Sequence, residues 1–525
     1  MNVLTLLDIK LSIGQDEKQL WAIAEKKLGK RPAYFAIKKK SLDARDKNNI
    51  RYIYTIEFSA QAQPTADQPL PRLPQSKLPE KPVLVVGSGP AGLFCALRLL
   101  EHGITPIVVE RGATVEERER RIQTFFHTRA LDTNSNVQFG EGGAGTFSDG
   151  KLNTQTHSAL NKEVLKIFVK YGAPAEILWL NKPHIGSDNL KIVVKNMREA
   201  ILAQGGKVLF HTRLEDIMIQ NGKITGVKLR ALQKETGLLT GDNALETLSV
   251  SAVVLAVGHS ARDTFEMLLA RGVPMRQKDF AVGVRIEHLQ SKIGFAQYGK
   301  AYEKLPAADY KLVSHTTDRA AFTFCMCPGG FVMPAASEEG GVVTNGMSNY
   351  ARDGKNANSA LIAQVTRADF DSDCPLAGVR FQQQIEQAAY AAGGSSYAAP
   401  VQLVGDFLND RVSDRFGEVS PTYAAGTTFA DIRAVLPAPI VTSLKAAIVD
   451  MDRRLKGFAD SSAILTAAET RTSSPVRIER DETLQSIAVK GLYPCGEGAG
   501  YAGGITSSAA DGLRVAQAIY AEYSK

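Results

Sequence analysis

Three glycines and one acid carry the clearest chemistry in the chain. Gly87, Gly89 and Gly92 stand at the G-x-G-x-x-G spacing directly after the apolar run Val83–Val86. Ala91 to Leu100 is then apolar and helix-prone, and Gly103 stops it. Thr105–Val109 reads as a second buried strand with Glu110 at its end. Each part has a mechanical task. Gly87 allows the tight turn, Gly89 lets a pyrophosphate approach the backbone, and Gly92 lets the helix pack close to the strand. The helix start, at Ala91, offers unpaired N–H groups and a positive dipole end to phosphates. Glu110 lies 23 residues after Gly87, about where a carboxylate meets a ribose hydroxyl, with Arg111 beside it. The ordered unit predicts a dinucleotide site, against the bland alternative of a loop that is merely Gly-rich.

The unit alone does not distinguish FAD from NAD, but two further segments do. Gln138–Leu152 reads QFGEGGAGTFSDGKL and holds five glycines, so its backbone can lie against a flat or anionic ligand. Gly142, Gly143 and Thr146 lie in it. Gly491–Gly512 reads GLYPCGEGAGYAGGITSSAADG: an apolar strand ending at Gly496-Glu497, a Gly-rich turn that includes Gly504 and Ile505, and a helix from about Thr506. In this order the segments resemble the FAD-binding flavoproteins of the glutathione-reductase-like fold. The resemblance implies that the first glycines hold the ADP part of FAD. It also implies that the late Gly-acid pair holds the ribityl chain and that the following helix points its N-terminus at the flavin ring. Glu497 stands where aspartate is commoner. The run VVLAVG, Val253–Gly258, matches the strand before the chain returns to the substrate region in such proteins.

The resemblance narrows at PHIGSDNL (Pro183–Leu190), VLAVGHSARDT (Val254–Thr264), CMCPGGFV (Cys325–Val332) and TNGMSNYARDGKNANSA (Thr344–Ala360). These segments look like a bacterial family called uncharacterised FAD-dependent dehydrogenases, akin to the HI0933-like flavoproteins. That implies FAD and redox chemistry and supplies no substrate.

Several polar residues are candidates for the chemistry itself. Cys325 and Cys327 form a C-x-C beside Pro328-Gly329-Gly330. They read either as a redox-active or flavin-facing thiol pair, with Cys327 as the candidate, or as alternating strand residues. Glu469, Arg471 and Arg477 lie in AAETRTSSPVRIERDE, just before the strand that carries Glu497. Arg471 there suits an anionic substrate or the negative charge of a reduced flavin, the alternative being a domain-interface salt bridge. His259, after the VVLAVG strand, is a candidate proton donor or a hinge residue. The span 344–360 reads as a polar, loop-like binding or solvated segment around Asn345, Ser348, Asn349, Arg352 and Asn358. No H-E-x-x-H, D-x-D-x-D or paired C-x-x-C pattern occurs, so no metal is expected.

The elements that must position these residues fall into segments. Residues 1–59 read as strand, helix, strand, strand, a small ferredoxin-like α+β module. Residues 60–80, rich in Pro and Gln, read as an extended linker. Residues 81–274 and 465–525 read as a Rossmann-type FAD-binding domain, interrupted by an inserted substrate domain over 275–464. The fold class expected is therefore α/β. No second strand-G-x-G-x-x-G unit appears in the middle, which argues against a dedicated NAD(P)H domain of the disulfide-reductase kind. NAD(P)H nevertheless stays open as an electron donor.

No run of 18 apolar residues occurs and the first residues lack the marks of a signal peptide, so no membrane span and a cytoplasmic location are expected. Five cysteines argue against a disulfide framework and for a reducing compartment. The net charge of +7 is uneven: residues 1–59 hold +5. A cluster of Lys26, Lys27, Lys30, Arg31, Lys38, Lys39 and Lys40 could meet RNA, but no aromatic RNA-binding motif accompanies it, and nucleic acid is not the expected partner. The leading expectation is an FAD-dependent dehydrogenase exchanging a hydride between flavin N5 and a small-molecule substrate. The other reading is a flavin-containing platform whose basic N-terminal module binds a macromolecule such as tRNA.

Overall fold

A computed structural model of the protein describes residues 3–62, 69–154, 156–233, 244–370 and 372–525. Its first unit has the expected order: strand Leu4–Ser12, helix Lys18–Leu28, then strands Tyr34–Asp43 and Arg51–Ser59. The last strand lies between the other two, antiparallel to both. The helix lays Leu20 and Ala24 onto Tyr54, Ile56 and Phe58, giving the unit a small core of its own. Its basic cluster is partly neutralised on the spot. Lys40 pairs with Glu17 and lies over the rings of Tyr52 and Tyr54; Lys38 pairs with Glu57; Arg31 lies over Trp21. That arrangement does not favour a uniform phosphate-binding face. The unit touches the body through a short backbone bridge, Lys40 N to Trp179 O at 2.8 Å and Asn181 N to Lys40 O at 2.9 Å. Lys47 Nζ adds a bond to Ala296 O.

The linker is only partly a linker. Leu73 is buried among the residues around the first glycine helix, and its N–H bonds to His102 O at 2.9 Å. His102 Nδ1 bonds Pro71 O, and Arg72 reaches Leu100 O. The expected extended spacer over 60–80 therefore gives way at its second half, which packs on the nucleotide unit because Leu73 has apolar surface to bury.

Five parallel strands make the nucleotide sheet, in the order Leu492–Pro494, Ala252–Leu255, Val83–Val86, Pro106–Val109, Lys207–Leu209. All four residues of Val83–Val86, Pro106–Val109 and Ala252–Leu255 are buried, as expected for short parallel strands covered on both faces. Helices Pro90–Glu101 and Ile505–Ser524 share one covering layer. They meet at Gly512, where a Cβ would stand 2.1 Å from Ala91 O. A three-stranded antiparallel sheet of Thr212–Gln220, Lys223–Ala231 and Leu245–Ser249 helps cover the other face.

Between Leu255 and Leu492 the chain builds a second, seven-stranded sheet. Its order is Val313–Ser314, Ala321–Cys327, Asn356–Val365, Phe280–Leu289, Ile464–Glu469, Ala399–Leu403, Thr427–Phe429. The helix Ala438–Arg454 packs against it through Ile440, Leu444, Ala447 and Ile448. Two sequence expectations change here. Ile464–Glu469, assigned from sequence to the last nucleotide segment at 465, is a central strand of this second sheet, paired with Phe280–Leu289 and Ala399–Leu403. The polar span 344–360 is not one loop. Thr344–Met347 pairs in a hairpin with Phe331–Pro334, and Asn356–Val365 is a buried strand. Its asparagines and serine are interior groups, so hydropathy alone hides the strand.

A protein beginning at Pro69, lacking the first unit but keeping Leu73, is expected to fold and hold flavin, because that unit shares no buried core with the rest. One beginning at Lys81 loses the Leu73 anchor and is expected to be about 2 kcal/mol less stable, the worth of one buried leucine. Urea unfolding of the two, with flavin absorbance as a second readout, checks this. Equal stability would show that the packed half of the linker contributes nothing.

Candidate functional site

A cavity of about 350 Å³ runs from the first glycine turn to the edge of the seven-stranded sheet. Its nucleotide end is lined by Gly87, Gly89, Ala91, Glu110, Arg111, Gly143, Gly258, Glu497, Gly504 and Ile505. Two helices open onto it. Pro90–Glu101 has Gly89 as its N-cap and Ile505–Ser524 has Gly504, and neither receives a side-chain cap. Their first N–H groups are left for a ligand, and the dipoles favour an anionic or electron-rich one.

The glycines divide by task. A Cβ on Gly258, Gly503 or Gly504 would meet nothing within 4 Å, and one on Gly89 would meet only Gly143 Cα at 3.8 Å. These positions border open space where a ligand can lie against bare backbone. Gly92 differs: a Cβ there would stand 1.9 Å from Gly87 O, and one on Gly87 itself 2.3 Å from Ala256 O. Gly142 and Gly496 are packed as well, against Thr146 and Ala91. Gly92, expected to pack the helix on the strand, and Gly142, Thr146 and Gly496, expected near the cofactor, do not line the cavity. Thr146 Oγ1 donates to Glu141 O, and Gly496 N–H donates to Asp511, so these residues shape the walls instead.

Glu110 carries more structural duty than the sequence suggests. One carboxylate oxygen accepts from Ser88 N–H and Ser88 Oγ, the other from Gly112 and Gly140 N–H, all at 2.9–3.0 Å. It fastens the first glycine turn to the Gln138–Leu152 loop. With four protein donors on two oxygens, a ribose hydroxyl has to share or displace one, and the Ser88 hydroxyl is the movable donor. Arg111 pairs with Asp263 at 2.8 Å and lies over the Phe139 ring. His259 stands with Nδ1 3.3 Å from Glu497 Oε1, while its Nε2 is buried with no hydrogen-bond partner. Both residues line the cavity.

The far end is built by the second sheet and its neighbours: Asp149, Lys151, Asn153, Phe324, Cys325, Asn345, Glu469 and Arg471. Cys325 reaches the cavity; Cys327, the expected candidate, is fully buried, its thiol turned to Cys325 O. The pairing register slips between Phe324 and Cys327, and Cys325 adopts φ +43°, so the strand does not alternate as an ideal one would. A hydrogen bond from Cys327 holds the Cys325 thiol below its ordinary range, aided by Arg285 and Lys151 and opposed by burial. Glu469 is buried, and burial pushes its carboxyl up to about 7 against the pull of Arg285. Thr344 Oγ1 donates to Glu469 Oε2 at 3.0 Å, and Arg285 Nε stands 3.5 Å from that oxygen without a hydrogen bond. Arg285 was not singled out from sequence, although one arginine in the apolar run FAVGVRIEHL was a signal.

Arg471 also changes role. Sequence reading places it as an anion-binding or flavin-stabilising group, and it does border the cavity. Its guanidinium is already engaged: Nε and Nη2 bond Glu386 at 3.2 and 3.0 Å, and Nη1 bonds Ser337. Arg262 grips the same Glu386 through two bonds of 2.8 Å and also bonds Glu338. Burial would raise the Glu386 carboxyl, but Arg262 and Arg471 outweigh it and hold it well below its usual 4.5. That depressed carboxyl contributes stability in full above its unfolded value and loses it as the pH falls further. No group of three or more His, Cys, Asp or Glu side chains is placed to hold a metal among the described residues.

Two expectations follow. Gly89→Val should empty the cavity of flavin while leaving the melting temperature close to wild type, whereas Gly92→Ala should destabilise the fold by about 1–3 kcal/mol through the clash with Gly87 O. Flavin absorbance and thermal melting separate the two, and loss of fold in Gly89→Val would contradict the assignment. Arg471→Ala should cost about 3 kcal/mol in urea unfolding, because it breaks a buried ion-pair network. A loss under about 1 kcal/mol with normal flavin content would return Arg471 to the substrate.

Comparison with known proteins agrees with this architecture. A family model described as the C-terminal domain of an FAD-dependent protein matches residues 279–472, one for an FAD binding domain matches 80–135, and a domain of unknown function matches 4–59. An uncharacterised protein of Clostridium beijerinckii is 46% identical over 504 residues, covering 92% of each chain. Among solved structures, a geranylgeranyl bacteriochlorophyll reductase-like protein from Thermoplasma acidophilum is similar at 12% identity and a TM-score of 0.35, over 83% of this chain and 77% of its own. The glycerol-3-phosphate dehydrogenase of Bacillus halodurans, complexed with FAD, is similar at 14% identity and a TM-score of 0.34, over 84% and 64%. The E. coli quinol fumarate reductase is similar at 11% identity and a TM-score of 0.37, over 85% and 70%. Scores and identities this low say nothing of the reaction. The matched FAD domains and the Clostridium relative place the chain: it belongs to a family of FAD-dependent flavoproteins, and FAD is its cofactor.

Proposed function

We propose that the protein is an oxidoreductase in which FAD exchanges a hydride with a small-molecule substrate. The observation that carries this reading is a single cavity bordered by two uncapped helix N-termini at one end and by Glu469, Cys325 and Lys151 at the other. When bound, FAD supplies the two-electron chemistry. Gly89, Gly143 and the helix start at Pro90 would hold the pyrophosphate, with Glu110 and Arg111 at the adenosine side. Gly258, Glu497, Gly504 and Ile505 would hold the ribityl and ring side, and His259 would position Glu497. The polar far end, walled by Phe324, would receive the substrate and exclude water.

Further readings belong to the same proposal. The nucleotide sheet, interrupted between Leu255 and Leu492, is read as a glutathione-reductase-like FAD domain with the seven-stranded sheet as an inserted substrate domain. The N-terminal strand order is read as a small ferredoxin-like α+β module. Kinship to the uncharacterised dehydrogenases and the HI0933-like flavoproteins, a cytoplasmic location, and NAD(P)H as electron donor complete it. No helix among the described residues is long and apolar enough to cross a membrane.

Anaerobic titration of the yellow protein with NADH, NADPH and a panel of small alcohols, amines and hydroxy acids tests the reading. The expected outcome is bleaching of the flavin band by at least one of them. Bleaching by dithionite alone would make the flavin a structural group rather than a catalytic one.

A further inference from the structure

Behind the far end of the cavity lies one buried cation, Arg285, and two acids on nearby strands line that end. Arg285, fully buried, lies on Phe280–Leu289, Glu469 on the adjoining strand Ile464–Glu469, and Cys325 on Ala321–Cys327. Arg285 Nη1 and Nη2 donate to Cys325 O at 3.1 and 3.0 Å. Its Nε stays unpartnered 3.5 Å from Glu469 Oε2. The guanidinium has room because residue 346 is glycine: a Cβ there would stand 2.6 Å from Arg285 Nη2. Asn358, wholly buried beside it, has no partner for either end of its amide. Unpaired buried polar groups of this kind are costly and gather where a ligand completes them.

Other charges around the pair are accounted for. Asp149 is taken by Arg352 through bonds of 2.9 and 2.6 Å and by Ser348, with Lys151 3.9 Å away. Glu287, two residues along from Arg285, is buried and accepts from Thr422 and Asn356, and burial raises it. Cys327 and Thr344 add hydrogen bonds. Two acids near one guanidinium in a low-dielectric site each disfavour the other's ionised form.

We propose that Glu469 and Cys325 share one negative charge opposite Arg285 and form the acid–base end of the site, with Glu469 moving the proton at the substrate. The proposal rests on the oxidoreductase reading for the destination of that proton. For a substrate H–C–O–H, the O–H bond breaks to the Glu469 carboxylate and its electron pair forms the C=O bond. With FAD bound, the C–H hydrogen would leave with its electron pair for the flavin, and reduction of a carbonyl would be the reverse. The substrate class implied is a small polar alcohol or carbonyl compound.

Infrared difference titration of the FAD-loaded full-length protein tests the shared charge without any substrate, so it can fail while flavin reduction succeeds, and the reverse. The wild type is expected to show a protonated-carboxyl band persisting towards neutral pH that is absent from Glu469→Gln. In Cys325→Ser the midpoint of that band is expected to fall by about one pH unit or more, since only one acid then faces Arg285. Flavin absorbance confirms that each variant is folded. A carboxyl titrating in the ordinary glutamate range, or a midpoint indifferent to Cys325→Ser, would overturn the proposal.

Discussion

Two helices start at one cavity with glycine caps and no side chain to satisfy their first N–H groups. Open helix ends of this kind need a partner from outside the helix, and the proposed function gives that place to the cofactor. Much of the nucleotide half can be understood as holding those two ends in place. Gly92 lets the first helix sit against the Gly87 turn, Gly512 lets the last helix cross it at Ala91, and Glu110 stitches the turn to the neighbouring loop with four hydrogen bonds.

The second half adds to what the first supplies. The nucleotide half brings Glu110, Arg111 and Glu497 to the cavity, and the seven-stranded sheet adds Glu469 and Cys325 with Arg285 buried behind them. The Arg262–Glu386–Arg471 network ties the segment after the nucleotide strand Ala252–Leu255 to the segment after Ile464–Glu469. A buried ion network of this sort fixes geometry more than it adds stability, since desolvation offsets most of the attraction. Its value here is to hold the two halves in register across the cavity.

The nucleotide unit was legible in the sequence because its signals are local. A strand, three glycines, a helix and an acid lie within one short stretch, and each has a steric reason. Gly92 packs the helix on the strand as its spacing implies, while Gly142, Thr146 and Gly496 form the wall of the cavity rather than its lining. Adjacent positions in a motif can face the cavity or the wall. At the far end the signals were distant: Arg285, Cys325 and Glu469 come from three strands, and only sheet pairing brings them together. Cys325 rather than the expected Cys327 lines the cavity because of the bulge in that strand, a tertiary feature. Arg471 takes the salt-bridge alternative because its partner Glu386 sits on a helix the sequence did not connect to it.

The proposed chemistry depends on where the flavin ring lies. A crystal structure of the FAD-bound protein measures that directly. The expected result is a pyrophosphate at Gly89 and Gly143, with the isoalloxazine ring between the start of the helix Ile505–Ser524 and the side chains of Cys325 and Glu469, in van der Waals contact with at least one of them. A ring that points out of the cavity, touching neither, would contradict the account and leave the acid–thiol end without a role in flavin chemistry.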